Sequence, residues 1–314
     1  MPGAGRDFSP SPILRLLSLA LLVMLPGCSD DDDPPPPPDY PTLRIVQSAA
    51  ELDVALRTIT SGDTIEIDGG FTNPQFLMTQ GYVFEAEVSP ILIRSTPRST
   101  IRPEIVFPPT VDGFTFRGHD GTRLTRLSFR GGATTIVMTD SRVLVDTLEI
   151  RNPAKDGVEA TGVGSTGRVR GCLIEFIPVA QGGMAGRFGV FTADQAPLTI
   201  DKNTIIDAGD CGMHVDSNVT VANNNIYRAR LHGIYFDEAS TSPSVSCNNA
   251  YLSGTANYAS VNAINVPGSV NYAVNPRFCQ GSYRLSELSP LTAANAGECG
   301  LIGALDVEDG CTPR

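Results

Sequence analysis

The side chains best suited to chemistry lie in two pentapeptides in the last third of the chain, GMHVD and GIYFD. The first contains His214 and Asp216, and the second contains Tyr235 and Asp237 at the equivalent positions. If the pentapeptides lie side by side, Asp216 and Asp237 form a carboxylate pair of the kind that retaining glycosidases use as nucleophile and acid. Alternatively, His214 or Tyr235 removes a proton beside a substrate carboxyl group, which a Ca²⁺ ion on the two aspartates neutralises.

A repeat positions these pentapeptides. Between Val145 and Ala250 the pattern returns every 21 to 31 residues: an aliphatic residue, a small or polar one, another aliphatic, and later a Gly followed by an apolar residue. Such a period is typical of a solenoid, in which each unit buries its apolar face against its neighbours. Because apolar and polar residues alternate with period two in the pentapeptides, the units are strands. We therefore expect an all-β chain, a right-handed parallel β-helix solenoid of seven to nine coils.

Equivalent positions of successive coils should stack into columns. The residues that follow Val158, Val190, Met213 and Ile234 point outward, since those four apolar residues face the core. The expected outward column is Glu159, Phe191, His214 and Tyr235. A second column two residues later is Thr161, Ala193, Asp216 and Asp237. Neighbouring strands lie about 4.8 Å apart, so these residues form one cluster, although polar residues are also what the solvent side of any strand carries.

The inward positions predict a buried ladder. Asn203, Asn224 and Asn248 share one register, and stacked side-chain amides can hydrogen-bond to one another. Cys172 has the same register and is interpreted as a small buried apolar residue.

The segments LTIDKNTIIDAGDCGMHVD and VTVANNNIYRARLHGIYFD resemble the right-handed parallel β-helix repeat proteins of the pectin-lyase-like class. The stretch SAAELDVALRTITSGDTIEIDGG is similar to the entry of that class, where an amphipathic helix precedes the first strand. Ser48 and Glu51 predict a capping box for this N-terminal capping helix, whose apolar stripe is Leu52, Ala55, Leu56 and Ile59. The tail resembles the closing segment of secreted bacterial β-helix proteins, which predicts a Cys-containing C-terminal cap.

The ends of the chain predict its location. Residues 1–28 read as a secretory signal whose apolar run ends at Leu25-Pro26-Gly27-Cys28, which resembles the lipobox of bacterial lipoproteins. Residues 29–40 carry runs of Asp and Pro that predict an extended, solvated tether. Residues 41–272 then form the β-helix and 273–314 its cap. We expect a monomer in the bacterial cell envelope, held at the outer membrane or cell surface through the lipid on Cys28.

Six cysteines follow Cys28, an even number in a chain expected to leave a reducing compartment. Cys247 and Cys279 bracket the last coil, and Cys299 and Cys311 lie close together in the tail. These four are the disulfide candidates, and the suggested pairs are Cys247 with Cys279 and Cys299 with Cys311. Fifteen connectivities are open to six cysteines, and the pairs are hypotheses.

The net charge of the chain excludes some classes of binding partner. The formal net charge is −11, which argues against nucleic acid and against any membrane contact beyond the lipid anchor. An anionic polymer is repelled as well unless a metal bridges it. The class resemblance implies a polysaccharide partner, bound on a strip that includes Glu159, Phe191 and Tyr227, with Ca²⁺ as the one cofactor considered.

Three functions stay open: polysaccharide binding, cleavage by a lyase or glycoside hydrolase, and a structural role as spacer or adhesin. Against a lyase, the outward column lacks the Arg or Lys that often serves as base in the class.

The insertion Ile177 to Phe188 is either the wall of a groove or a plain surface loop. His119 is predicted to lie in a solvated loop, and His232 to cap a bend.

Overall fold

The computed structural model describes residues 42–70, 75–99, 101–178, 186–216, 218–237, 244–260 and 271–314. The predicted signal, Cys28 and the tether lie outside these residues, as does most of the insertion after Ile177. Among the described residues, no helix is long and apolar enough to cross a membrane.

Short strands make up nearly all of the described secondary structure. In chain order they are β1 Leu43–Val46, β2 Thr64–Ile67, β3 Gln75–Leu77, β4 Tyr82–Glu85, β5 Leu92–Ser95, β6 Glu104–Phe107, β7 Phe114–Arg117, β8 Asp120–Thr125, β9 Ser128–Gly131, β10 Thr134–Thr139, β11 Arg142–Asp146, β12 Glu149–Arg151, β13 Asp156–Thr161, β14 Arg168–Arg170, β15 Leu173–Glu175, β16 Phe188–Ala193, β17 Thr199–Asp201, β18 Thr204–Ile206, β19 Cys211–Val215, β20 Thr220–Ala222, β21 Asn225–Tyr227, β22 His232–Phe236, β23 Ser244–Ser246, β24 Asn249–Tyr251, β25 Ala256–Ser260, β26 Leu285–Ser286 and β27 Val307–Glu308. Helical structure is limited to α1, Ala49–Arg57, and the short 3-10 helices Ala86–Val88 and Gly297–Cys299 in this part of the chain.

Strands β1 to β25 form three parallel sheets, and from β2 onward each turn of the chain adds one strand to each sheet; β26 and β27 of the C-terminal tail pair with each other in a separate sheet. Sheet 1 has the order β1-β2-β5-β8-β11-β14-β17-β20-β23, sheet 2 runs from β3 to β24 through every third strand, and sheet 3 runs likewise from β4 to β25. Consecutive turns coil to the right, as parallel crossover connections nearly always do. The predicted right-handed parallel β-helix is therefore confirmed, with about 10 turns where seven to nine coils were expected.

The core lies inside the three sheets and is stacked in register. Val158, Val190, Met213 and Ile234 pair across neighbouring strands and are fully buried, as the alternation predicted. The repeated Gly before each of them is explained by close approach of the coils. At Gly189, an added Cβ would lie 2.6 Å from the carbonyl oxygen of Gly212 in the next coil. A side chain there would push the coils apart.

The predicted asparagine ladder is present. Asn203, Asn224 and Asn248 are fully buried. The Nδ2 of Asn203 donates to Oδ1 of Asn224 at 2.9 Å, and the Nδ2 of Asn224 donates to Oδ1 of Asn248 at 2.9 Å. Asn271 continues the ladder in one direction, since it accepts from Asn248, and the amide of Cys172 continues it in the other by donating to Asn203. Cys172 is buried and unbridged, as interpreted.

The N-terminal helix α1 covers apolar residues of the first coil. Ser48 Oγ accepts from the amide of Glu51, as the capping box requires, but the Glu51 carboxylate accepts from the amide of Gln47. Leu52, Ala55 and Leu56 are buried and join the main core. That the helix closes the open end of the first coil stays a prediction.

The C-terminal tail runs along the side of the solenoid. Its apolar residues, among them Phe278 and Leu291, form a second small core with Leu173 of β15 and Ile206 of β18. Tyr283 Oη donates to Glu175 at 2.7 Å, although the two residues are 108 positions apart in the sequence. The tail therefore covers the outer face of sheet 2 over several coils.

This path explains why the suggested disulfide pairs are wrong. The bonds join Cys247 to Cys299 and Cys279 to Cys311. Because the tail folds back on itself, its beginning and its end lie side by side, and Cys279 meets Cys311 there. Cys299, at the bend, returns to the coil that holds Cys247.

His119 does not lie in a solvated loop. Its side chain is buried against the rings of Phe84 and Phe116, and its Nδ1 lies 2.8 Å from Thr122 Oγ1. Burial lowers the pKa of His119 from its ordinary value of 6.5, although Glu85 opposes the shift. The short RGHDGT stretch is turn-like in composition, but its histidine turns inward.

The buried His119 predicts a pH dependence of stability. Because its pKa is lower in the folded chain, the unfolded chain takes up the proton first. The stabilisation is complete above about pH 6.5 and is lost as the pH falls through that value toward the folded pKa. We expect His119→Phe, which removes the titrating group and keeps a ring between Phe84 and Phe116, to reduce the fall in unfolding free energy between pH 7 and pH 5. Urea unfolding at the two pH values measures this, and an unchanged fall would show that His119 does not contribute.

Candidate functional site

The outer face of sheet 3 carries the predicted column. Glu159 pairs with Phe191, Phe191 with His214, and His214 with Tyr235 across adjacent strands, so the four side chains stack in the expected order. Each of the four is half-buried. The prediction of one outward column is confirmed.

The structure adds two aromatic residues that the outward column did not include. Phe188 and His232 lie one position before the repeated Gly, and β-sheet pairing aligns both with Cys211 between them. The ring of Phe188 stacks on Phe191 with centroids 5.3 Å apart, and the ring of His232 stacks on Tyr235 at 5.3 Å. Together with His214, these residues are called the aromatic row: Phe188, Phe191, His214, His232 and Tyr235.

His214 is held upright at the centre of the aromatic row. It meets Phe188, Phe191 and Tyr235 edge-on, with ring centroids 5.0, 5.2 and 5.0 Å away. Edge-to-face contacts of this kind are favourable because the ring edge is positive and the ring face negative. The aromatic row is thus a packed strip across three coils.

His214 also contacts one of the two predicted carboxylates. Its Nε2 lies 3.4 Å from Oδ2 of Asp237, whose side chain is 55% exposed. Burial lowers the pKa of His214, and the nearby Asp237 opposes that shift only in part. The imidazole is therefore neutral near pH 7, the form that can accept a proton.

Asp216 and Asp237 occupy equivalent positions in neighbouring coils. The amide of Asp237 donates to the carbonyl of Val215 at 3.0 Å, which extends the β19–β22 ladder by one residue. Asp216 differs in its surroundings, since its Oδ2 accepts from the amide of Gln195 at 2.8 Å. In the described part of the chain, no group of three or more His, Cys, Asp or Glu side chains is arranged to hold a metal ion.

A lysine lies at the Glu159 end of the aromatic row, where the column by itself showed none. Lys155 Nζ is 2.7 Å from Glu159 Oε2 and 3.2 Å from Oδ2 of the buried Asp156. Asp156 Oδ1 accepts from the amide of Phe188, and burial raises the pKa of this carboxyl. Lys155 and Asp156 thus fix Glu159 beside the first ring of the row.

Two arginines lie close to the row in sequence, Arg187 directly before Phe188 and Arg230 two positions before His232. Arg187 Cζ lies 4.5 Å from the centroid of Phe188, within cation–π range, and its Nε is 3.6 Å from Asp210. Arg230 also binds Asp210, at 2.5 Å. Sequence reasoning missed Lys155, Arg187 and Asp210, although one signal marks them: each stands two positions before a repeated Gly.

Tyr227, proposed as a binding residue, does not belong to this cluster. It lies on β21 in sheet 2, where its ring meets Phe278 of the tail edge-on at 5.5 Å. Tyr227 and Tyr235 lie on consecutive strands, β21 and β22, but these strands belong to sheets 2 and 3. The bend between the two sheets turns the two rings to different faces. Tyr227 supports the tail.

Sheet 1 presents charge on its outer face. Its residues form ion pairs between neighbouring coils, namely Glu66 with Arg94, Arg123 with Asp146, and Arg168 with Asp201. The charges of each pair neutralise one another, and each pair contributes little to the stability of the fold. Of the three outer faces, sheet 1 is therefore charged, the later coils of sheet 2 are covered by the tail, and sheet 3 carries the aromatic row.

Comparison with known proteins agrees with this architecture. A family model described as "Right handed beta helix region" matches residues 112–271, about half of the chain. No curated protein matches the sequence. The chain is similar to an alginate lyase from Paenibacillus sp. str. FPU-7, at 15% identity over 74% of this chain and 98% of that one, with a TM-score of 0.43. It is also similar to the catalytic domain of a GH87 alpha-1,3-glucanase in complex with tetrasaccharides, at 11% identity over 76% of this chain and 69% of that one, with a TM-score of 0.31. The match to the family model and the three-sheet coil together show that this protein belongs to the right-handed β-helix family.

Proposed function

We propose that this protein binds an extended polysaccharide along the aromatic row of sheet 3. The observation that carries the proposal is the row itself: Phe191 and Tyr235 are partly exposed on a parallel sheet, and contacts with Phe188 and His214 hold the two rings in place. Sugar rings present apolar C–H faces that pack on aromatic rings. A straight sheet suits a straight polymer, because successive coils offer successive contacts.

Polar groups along the row supply the hydrogen bonds that a sugar needs. Asp237 and Asp216 lie on one side of His214, and Glu159 with Lys155 lies at the end of the row. Carboxylates accept from hydroxyls and the lysine donates to them. Apolar faces flanked by a few polar groups are typical of ligand sites.

The proposed location of the protein is the bacterial cell envelope. The lipobox-like Cys28 and the Asp- and Pro-rich tether would hold the solenoid on the bacterial envelope, with the aromatic row free to meet glycan outside the membrane.

Two substitutions test the binding site. We expect Phe191→Ala and Tyr235→Ala each to weaken polysaccharide binding about tenfold or more, because each removes a stacking surface. The measurement is affinity electrophoresis of the purified protein in gels that contain a panel of neutral and acidic polysaccharides. The matched control is Val83→Ala, which truncates an exposed side chain on the same outward column, four coils away from Phe191. Wild-type affinity in both aromatic variants would place the site elsewhere.

Cleavage is a second candidate, favoured by the contact of the neutral His214 with Asp237. The same polysaccharide panel, with and without Ca²⁺, is followed for new reducing ends and for the ultraviolet absorbance of unsaturated products. Turnover that disappears in Asp216→Ala or Asp237→Ala would make the site catalytic. No binding and no turnover on the whole panel would leave the role of spacer or adhesin.

A further inference from the structure

We infer that the polymer bound on sheet 3 is uncharged, a neutral polysaccharide whose rings stack on Phe191 and Tyr235 and whose hydroxyls bind the flanking carboxylates. This inference rests on the proposed function and names the ligand class for the same site.

The cations beside the aromatic row are already paired. Lys155 Nζ lies 2.7 Å from Glu159 and 3.2 Å from Asp156. Arg187 and Arg230 share Asp210, at 3.6 and 2.5 Å. An acidic sugar would have to compete with these carboxylates for its counter-charge.

The balance of charge at the row is still negative, because Asp216 and Asp237 add two negative charges whereas the Arg187–Asp210–Arg230 group has one positive charge in excess. Asp216 and Asp237 flank His214 on the open side, and Asp237 is the more exposed of the two. His214 adds no positive charge near pH 7, since burial lowers its pKa. A carboxylate brought to about 4 Å from Asp237 is repelled even in water, which weakens its binding roughly fivefold. A polyuronate repeats that cost along the face, whereas a neutral chain meets acceptors for its hydroxyl groups.

The spacing of the two exposed rings suits a repeating neutral chain. Phe191 and Tyr235 are two coils apart, with His214 between them. At the usual strand separation this is roughly 9.5 Å, about the length of two hexose units. Equivalent ring faces two sugars apart can therefore lie on Phe191 and Tyr235 together.

The test compares chemically defined polymers on the purified protein. The neutral probes are laminarin, galactomannan, xyloglucan and dextran, and the acidic probes are alginate, polygalacturonate and hyaluronan, each at 50 and 500 mM NaCl, with EDTA or with Ca²⁺. We expect at least one neutral polymer to bind with an affinity that changes less than twofold between the two salt concentrations, and no acidic polymer to bind. Binding of an acidic polymer by the wild-type protein, with or without Ca²⁺, would overturn the inference and leave the proposed function standing. If no polymer binds, both fail.

A charge-reversal variant makes the comparison sharper. Asp237→Arg should bind at least one acidic probe with an affinity about tenfold above the detection limit below which the wild-type protein stays, because it replaces the exposed repelling carboxylate by a cation. Glu298→Arg makes the same charge change on the tail and should not. Equal gains in the two variants would show that net charge, rather than the face of sheet 3, governs the discrimination.

Discussion

Replacing Asn224 by alanine should lower the free energy of unfolding by about 3–5 kcal/mol, because buried polar groups would lose their partners. The Asn224 side chain accepts from the amide and the Nδ2 of Asn203, and it donates to Ile200 O and to Asn248 Oδ1. Each group left unsatisfied in the core costs about 1–3 kcal/mol. Thermal and urea unfolding of the purified variant measure the loss.

The control is Thr220→Ala in the same coil. Thr220 is exposed on β20, and its truncation should change the free energy of unfolding by no more than about 0.5 kcal/mol. A loss below about 1 kcal/mol for Asn224→Ala would mean that the ladder sets the register of the coils without stabilising them.

Replacing both Cys247 and Cys299 by serine should cost about 4 kcal/mol, the value expected for a closed loop that spans 52 residues. This bond ties the tail to the last coils. Without it, the tail should separate from sheet 2 before the solenoid unfolds and expose Leu173 and Ile206. Limited proteolysis and binding of a hydrophobic dye at temperatures below the main transition report that separation.

The second disulfide provides the comparison. Cys279 and Cys311 both belong to the tail, so their replacement should loosen the tail without detaching it. Early proteolysis in the Cys279→Ser/Cys311→Ser variant and none in the Cys247→Ser/Cys299→Ser variant would reverse the assignment of the anchoring bond.

The repeat was sufficient to predict most of the site's backbone. Once the coils are parallel and unshifted, residues at equivalent positions must stack, so Glu159, Phe191, His214 and Tyr235 follow from their distance to the repeated Gly. The asparagine ladder follows in the same way. Both predictions need only the two-residue alternation of strands and the small strand separation.

Residues at the bends between sheets were beyond this reasoning. Lys155 and Arg187 precede β13 and β16, where the two-residue alternation has not begun, so the alternation does not predict the direction of their side chains. His119 is a bend residue too, and packing against Phe84 and Phe116 turned it inward. Tyr227 has the spacing of a strand residue, but its sheet is the one that the tail covers.

The sequence by itself determined the coil, its register and the outward column, because these depend on contacts between neighbouring repeats of similar sequence. Only the tertiary structure decided the path of the tail, the pairing of Cys247 with Cys299, and which sheet keeps an aromatic face. These features depend on contacts between segments as distant as Glu175 and Tyr283, whose free energy comes from the fit of two surfaces and leaves no periodic mark in the sequence.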